Sequence, residues 1–254
     1  MQTQFVTHSL FSRILLVLVV AISLFSKPGL VARAGDGPHN GNIDPSYIPT
    51  EEELQRIAVK NAAADQHMKD RKNQITPLTL GSHILSVGTW KEPNDAAHVN
   101  YCGPGATQVA LDARLPASSV PNIDIIGAEE DIDPSWGVYA TNIAPVLNDR
   151  LDTTFYVVDG ASSKAGLQTR IVTDIDSGYV MITGVKTGGM PGWGTMDVYH
   201  IVAIYGYNEK SLSNTTVYYT ETAAPMAGYA GTYRNSKSLN TFWNYVIPNN
   251  VQVW

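Results

Sequence analysis

The sequence predicts an α+β fold in which a central helix packs against an antiparallel sheet. From residue 75 onward, short apolar stretches alternate with runs of Gly, Pro, Asn and Asp, which is typical of an α+β domain with many loops. The stretch 102–113 has its apolar residues at helical spacing. Two others, 199–208 and 217–221, are strand-like and separated by a polar loop. We therefore place a single domain at residues 76–254, with the second strand returning beside the first.

The composition suits one globular domain with an N-terminal appendage, since the 254 residues are 44% hydrophobic and 16% charged. The formal net charge is −6 and no run of Lys and Arg is present, so we expect no nucleic-acid partner. The glycine-rich segment 188–194 lacks the Lys and Ser/Thr of a phosphate loop, and the single cysteine has no second thiol with which to build a zinc site. We therefore expect neither a cofactor nor a bound metal.

Residues 1–34 have the pattern of a secretory signal peptide. Ile14 to Phe25 is an apolar run of 12 residues, with Arg13 before it and the small-residue site Ala32-Arg33-Ala34 after it. Spanning a bilayer takes about 20 apolar residues, so this run is short for a membrane helix. We expect cleavage after Ala34 and release of a secreted, extracellular protein without a stable membrane anchor. An uncleaved anchor is the alternative.

Residues 35–75 are predicted to form a linker and a helix ahead of the domain. Gly35 to Tyr47 is rich in Gly, Pro, Asn and Asp and lacks periodicity, as flexible linkers do. Thr50 and Glu53 then have the spacing of a helical capping box. The apolar residues that follow at mostly helical intervals are Leu54, Ile57, Ala58, Ala62 and Met68. Packing of this helix as an extension of the domain and a role as a pro-segment over the active site both stay open.

Cys102 is the one cysteine of a chain that we expect to be exported, and exported chains normally use cysteines in disulfide-linked pairs. A lone thiol in an oxidising compartment is a liability unless it performs a chemical task. The alternative is a buried structural cysteine that packs as a small hydrophobe.

A helix is predicted to begin at Cys102. Apolar residues recur behind it at helical spacing, at Ala106, Val109, Ala110 and Ala113. At a helix N-terminus the dipole and the unpaired amides favour the thiolate, which can lower a thiol pKa from about 8.5 into the range of roughly 3.5 to 7.5. Gly103 and Gly105 leave room beside the sulfur for a substrate and for close packing of the helix on a sheet.

The run Cys102-Gly103-Pro104-Gly105-Ala106 resembles the Cys-Gly-Pro-Ala signature of papain-fold peptidases related to the bacteriocin leader peptidases, which process double-glycine leaders. The resemblance implies a papain-like fold and cysteine-peptidase activity. It also implies that Cys102 is the nucleophile, and that a histidine and then an acid or amide follow it along the chain, each on a strand.

His200 is the one histidine, of six, that lies after Cys102 in the chain. It opens the run 199–208, which is rich in β-branched and aromatic residues and reads as a central strand. This run resembles the family's His-x-Val-x-x-x-Gly-Tyr strand, with matches at Val202, Gly206 and Tyr207. The resemblance therefore implies that His200 is the acid/base partner. A satisfied core histidine is the alternative.

Glu221 ends the next predicted strand, where alternation with a period of two places it on one face with Val217 and Tyr219. In the family this strand usually ends in Tyr-x-Asp-Pro, so the resemblance gives Glu221 the position of the acid that orients the imidazole. The residue here is one methylene longer than the family's Asp. A solvated glutamate at a strand end is the alternative.

The oxyanion donor is where this sequence departs furthest from the family. Relatives often carry a Gln about six residues before the cysteine, and this chain has Ala96 there. Asn94, Asn100 or the backbone amide of Cys102 are the candidate donors instead. The residues that we expect to border the substrate cleft are Tyr101, Gly103 and Trp193.

These features predict a secreted thiol peptidase that cleaves a peptide or protein substrate through a thioester on Cys102. A papain-fold binding module with weak or no catalysis is one alternative, motivated by Ala96 and Glu221. An amidase or acyltransferase acting on cell-wall peptides is another, because the same three groups serve all acyl transfers.

Overall fold

The computed structural model of the protein describes residues 40–74, 81–211 and 214–254. The predicted signal peptide, residues 1–34, and the first residues of the predicted linker lie outside these ranges. Within them the chain forms six α-helices and seven β-strands, and every strand pair is antiparallel. The predicted α+β class with an antiparallel sheet is therefore confirmed.

The seven strands in the described ranges form one sheet in the order β2-β7-β3-β4-β5-β6, with β1 paired to β4 outside this path. Their bounds are β1 (Ser82–Ile84), β2 (Val158–Asp159), β3 (Met181–Lys186), β4 (Tyr199–Ser211), β5 (Asn214–Thr220), β6 (Arg234–Ser238) and β7 (Gln252–Val253). Strand β4 is central, because it pairs with β3 and then β1 along one edge and with β5 along the other. The two strands predicted around His200 and before Glu221 are thus observed as β4 and β5.

The helices lie on both faces of the sheet. Their bounds are α1 (Glu51–Gln74), α2 (Cys102–Asp112), α3 (Ile123–Glu129), α4 (Ala140–Arg150), α5 (Lys164–Asp176) and α6 (Leu239–Val246). The alternation of strand residues divides the core in two. Ile201 and Ala203 of β4 face the cluster that contains α2 and α4, and Val202 and Ile204 face the cluster that contains α5 and α6.

Helix α2 begins at Cys102, as the sequence predicts, and its residues from Cys102 to Leu111 are all buried. The two glycines of its first turn permit this burial. A Cβ on Gly103 would overlap Val138 Cγ1, and a Cβ on Gly105 would lie 2.9 Å from Thr222 Cβ. The N-terminus of α2 therefore lies close against Val138 and against the chain that follows β5.

Helix α1 starts with the predicted capping box. Thr50 Oγ1 accepts a hydrogen bond from the Glu53 N–H at 3.2 Å, and the Thr50 N–H donates to Glu53 Oε2 at 2.8 Å. The helix packs on α5, on the sheet face opposite α2, and Lys60 Nζ lies 3.4 Å from Asp174 Oδ1 there. It thus extends the domain, while a pro-segment role stays a prediction. Among the helices that the structure describes, none has the length and apolar character needed to cross a membrane.

Candidate active site

Cys102 lies at the first turn of α2 with its side chain enclosed, since the residue is 2% exposed. Tyr101 is the N-cap residue and its side chain makes no capping hydrogen bond. The His200 ring and the backbone N–H of Ile201 lie near enough to the sulfur to act on the pKa of the thiol. The thiol is therefore held between the start of α2 and the start of β4.

His200 connects the sulfur to a carboxylate. It is 4% exposed, and its position in β4 is fixed by pairing with Val185 of β3. Its Nε2 lies 2.5 Å from Glu221 Oε1, which leaves Nδ1 as the ring nitrogen for the sulfur. The fold therefore brings together Cys102, His200 and Glu221, three residues singled out from the sequence: His200 is hydrogen-bonded to Glu221 and interacts with the Cys102 sulfur.

Glu221 follows β5 and is 1% exposed, with both carboxylate oxygens hydrogen-bonded. Besides His200, Oε1 accepts a hydrogen bond from the Ala223 N–H at 3.2 Å, and Oε2 accepts one from Trp193 Nε1 at 3.0 Å. Its backbone N–H donates to the Tyr233 carbonyl at 2.7 Å. The carboxylate is thus buried and held in place, which is the arrangement needed to orient an imidazole.

Trp193 takes a different place from the cleft border that the sequence suggests. It is 3% exposed, and the centroid of its ring lies 4.8 Å from that of the His200 ring. Its indole N–H donates a hydrogen bond to Glu221 Oε2. The Ala230 N–H donates to the carbonyl of Gly192 at 2.9 Å and so fixes the loop that carries Trp193. Trp193 therefore shields and supports the histidine–carboxylate pair.

No protein-family model matches this chain, and the search of curated proteins found no match either. In the three ranges that the structure describes, no group of three His, Cys, Asp or Glu side chains is arranged to hold a metal ion.

The protonation of the site follows from burial and mutual contact. Burial acts to lower the pKa of His200, but the charge of Glu221 and the contacts with Cys102 raise that pKa well above its usual range. Burial raises the pKa of the Cys102 thiol, and His200 and the Ile201 N–H oppose this rise. The lowered thiol pKa that a helix N-terminus predicts is not reached in this enclosed arrangement, because desolvation outweighs it.

The segment around Val138 closes the site on the α2 side. Val138 fills the space beside Gly103 that the sequence suggested for substrate. The Val138 N–H donates to Asn40 Oδ1 at 3.1 Å, and its carbonyl accepts from the Gly41 N–H at 2.8 Å. Access of a peptide to the enclosed sulfur therefore requires the side chain of Val138, and with it Asn40, to move.

The remaining candidates from the sequence have partners of their own. Asn94 Oδ1 accepts a hydrogen bond from the Met226 N–H at 2.9 Å, and Asn100 Nδ2 donates to the Pro134 carbonyl at 2.7 Å. The Tyr101 ring packs edge-on against His98, with ring centroids 4.6 Å apart.

Glu92 is a site residue that the sequence did not reveal. It is 4% exposed, its N–H donates to the Thr222 carbonyl at 2.9 Å, and Thr222 Oγ1 donates to Glu92 Oε1 at 3.3 Å. Burial is the main cause that raises its pKa to about 8, and its charge interacts with His200, Glu221 and Cys102. No sequence signal marks Glu92, because it lies in a segment without regular structure and only the fold brings it to Thr222.

Proposed function

We propose that this protein is a secreted thiol peptidase of papain-like fold that hydrolyses peptide bonds through a thioester on Cys102. The observation that carries the proposal is the buried cluster of Cys102, His200 and Glu221, in which His200 is hydrogen-bonded to Glu221 and interacts with the Cys102 sulfur. A papain-like fold is supported by the Cys-bearing helix packed on an antiparallel sheet whose strand β4 carries the histidine. The chain order Cys, His, acid agrees with it.

Cys102, His200 and Glu221 each have one task in the proposed reaction. The Cys102 thiolate attacks the peptide carbonyl carbon, and the resulting tetrahedral intermediate collapses to a thioester as His200 gives a proton to the leaving amine. Water then attacks the thioester and gives a proton to His200. Collapse of this second intermediate releases the acid product and restores the Cys102 thiolate. Glu221 keeps the ring oriented and stabilises its positive charge throughout.

Turnover of peptides by the purified protein tests this proposal. We expect hydrolysis of casein or of mixed synthetic peptides by the wild-type protein, and loss of at least about 10³-fold in Cys102→Ala, since removal of a nucleophile leaves only the residual effects of binding. Cys102→Ser is the matched control, because it keeps the size of the side chain and its hydrogen bonds to His200 while weakening the nucleophile. Hydrolysis that is unchanged in Cys102→Ala would sink the proposal.

Export is part of the proposal, and its support is the apolar run and small-residue site in residues 1–34. We expect the protein recovered from the medium of an expressing cell to start at Gly35. The intact mass of the recovered protein checks this start, and a full-length mass in the cell fraction alone would contradict it.

A second candidate, a papain-fold binding module without turnover, is favoured by one observation. Cys102 is enclosed and burial raises its thiol pKa, so the sulfur as it stands is a shielded thiol. This candidate predicts that Cys102→Ser keeps peptide binding and that neither form hydrolyses any substrate. Isothermal calorimetry with the same peptides, run beside the turnover assay, separates the two functions.

A further inference from the structure

A peptidase that attacks a carbonyl must stabilise the negative charge that develops on the carbonyl oxygen. The backbone N–H of Cys102 at the start of α2 can supply one donor, and each asparagine that the sequence suggested as a side-chain donor is anchored by a hydrogen bond to another segment. Asn100 Nδ2 is engaged by the Pro134 carbonyl, and Ala96 has no donor at all. A buried group beside the first turn of α2 can supply the second donor.

Two buried acids lie beside this turn, Glu130 next to Gly103 and Glu92 next to Thr222. Of the two, Glu92 is the one whose charge interacts with both Cys102 and His200. Its backbone and its carboxyl are both hydrogen-bonded to Thr222. Thr222 in turn lies against Gly105, where a Cβ on the glycine would come within 2.9 Å of Thr222 Cβ. Glu92 is thereby fixed next to the start of α2, and its charge interacts with both Cys102 and His200.

We propose that Glu92, as a neutral carboxylic acid, is the side-chain donor of the oxyanion hole and gives its O–H hydrogen bond to the oxygen of the tetrahedral intermediate. This inference rests on the proposed peptidase function and adds a catalytic residue to it. The proton stays on Glu92 throughout, so the groups that exchange protons in the reaction remain Cys102, His200 and water. An ionised carboxylate at the same place would repel the oxyanion.

The surroundings of Glu92 keep it neutral up to weakly alkaline pH. Burial raises its pKa to about 8; the cation of His200 lowers it and the anion of Glu221 raises it. The other titratable groups that interact with Glu92 are Cys102 of α2 and His98 of the loop before α2. Because Thr222 Oγ1 donates to Oε1, the acid proton belongs on Oε2.

A dependence of the reaction on pH follows from this assignment. Hydrolysis by the wild-type protein should fall as the pH rises through about 8, because Glu92 loses the proton that it donates. Glu92→Gln has amide N–H donors that do not titrate, so it should keep hydrolysis and lose this part of the alkaline decline. Glu130→Gln is the comparison variant, because Glu130 is the other buried acid beside the start of α2 with its pKa raised to about 8, so the pair of variants shows which of the two acids causes the alkaline decline.

The experiment compares two reactions of the same thiol. Hydrolysis of a peptide that the wild-type protein cleaves needs both a thiolate and an oxyanion donor, whereas alkylation of Cys102 by iodoacetamide needs the thiolate alone. We expect Glu92→Ala to lower kcat for hydrolysis by about 10²- to 10³-fold with little change in KM, while the alkylation rate changes by less than about threefold. We expect Glu92→Gln to hydrolyse within about tenfold of wild type, and from pH 7 to 9 to decline less than either wild type or Glu130→Gln.

Each other outcome overturns the assignment. Equal losses of hydrolysis and alkylation in Glu92→Ala would mean that Glu92 only positions the thiol, and an unaffected Glu92→Ala would mean that it has no part in the reaction. An alkaline decline in Glu92→Gln equal to that of wild type would show that the decline belongs to another group. Absence of turnover by the wild-type protein would overturn the peptidase function and this inference together, whereas turnover that survives in Glu92→Ala would overturn this inference alone.

Discussion

Glu221 is held by three donors, which are the His200 ring, the Trp193 indole and the Ala223 N–H. The three donor–acceptor distances run from 2.5 to 3.2 Å. At the level of single residues, the site is therefore an ion pair of His200 and Glu221 that is sealed from water by Trp193. The charge of Glu221 is what keeps His200 protonated in a buried place.

Replacing Glu221 by Gln tests this pairing. The amide keeps the shape of the side chain but removes its charge, so we expect the pKa of His200 to fall and kcat to drop by at least about 10²-fold. The pKa is measured from the pH dependence of the His200 ring signals by NMR. Glu221→Asp is the matched control that keeps the charge and shortens the reach. A His200 pKa that does not fall in Glu221→Gln would contradict the pairing.

Helix α2 owes its position to two glycines of its first turn as well as to its buried apolar side chains. The close approach of Gly103 to Val138 and of Gly105 to Thr222 brings the N-terminus of the helix to the ends of β4 and β5. At the level of elements, the site therefore forms where the start of α2, the start of β4 and the end of β5 meet. A change that moves the helix start should move Cys102 away from His200.

Replacing Gly103 by Ala tests the close approach. We expect the free energy of unfolding to fall by about 1–3 kcal/mol, because the added methyl overlaps Val138. Gly166→Ala in α5 is the matched control, since a Cβ there meets nothing closer than 3.5 Å, and it should be neutral or stabilising by up to about 1 kcal/mol. Urea denaturation measures both. Val138→Ala combined with Gly103→Ala should recover part of the loss, and strict additivity of the two changes would contradict the contact.

The elements that the sequence predicts are those long enough to show a period. Helices α1 and α2 and strands β4 and β5 repeat their apolar residues over several turns or pairs, so their existence could be read directly. Strands β2 and β7 have two residues each, which is too few for a pattern. They form because β7 pairs with β3 and β2 then pairs with β7.

The same distinction applies to the site. Cys102 could be singled out as the one cysteine, at a predicted helix start, and His200 and Glu221 through the resemblance of their two strands to a known family. The supporting role of Trp193 and the presence of Glu92 could not, because each depends on contacts between segments far apart in the chain.

At the level of the whole molecule, buried carboxyls are distributed through the core. Glu92 lies beside the site, Glu130 is bonded to Thr107 of α2, and Asp174 of α5 pairs with Lys60 of α1. Burial raises the pKa of Glu92 and Glu130 to about 8 and that of Asp174 to about 6. The folded protein therefore holds protons that the unfolded chain releases at lower pH.

The sign of the resulting pH dependence is fixed. Between the ordinary glutamate pKa of 4.5 and the folded value of about 8, the folded state binds more protons, so the free energy of unfolding falls as pH rises. One unit of pKa is about 1.36 kcal/mol, so we expect a loss of the order of a few kcal/mol between pH 5 and pH 8.5. Urea denaturation at the two pH values measures it. Glu130→Gln should lose less than wild type, and equal losses in the two proteins would contradict the burial of Glu130 as an acid.

The central claim is that Cys102 becomes acylated during peptide hydrolysis. Mixing the protein with excess peptide substrate or its activated ester, quenching in acid and measuring the intact mass tests that claim most directly, because a thioester survives acid. We predict an added mass equal to the acyl portion of the substrate, located on the peptide that contains Cys102 and absent from Cys102→Ala. Hydrolysis that proceeds with no acyl group on Cys102, or acylation that persists in Cys102→Ala, would contradict the account.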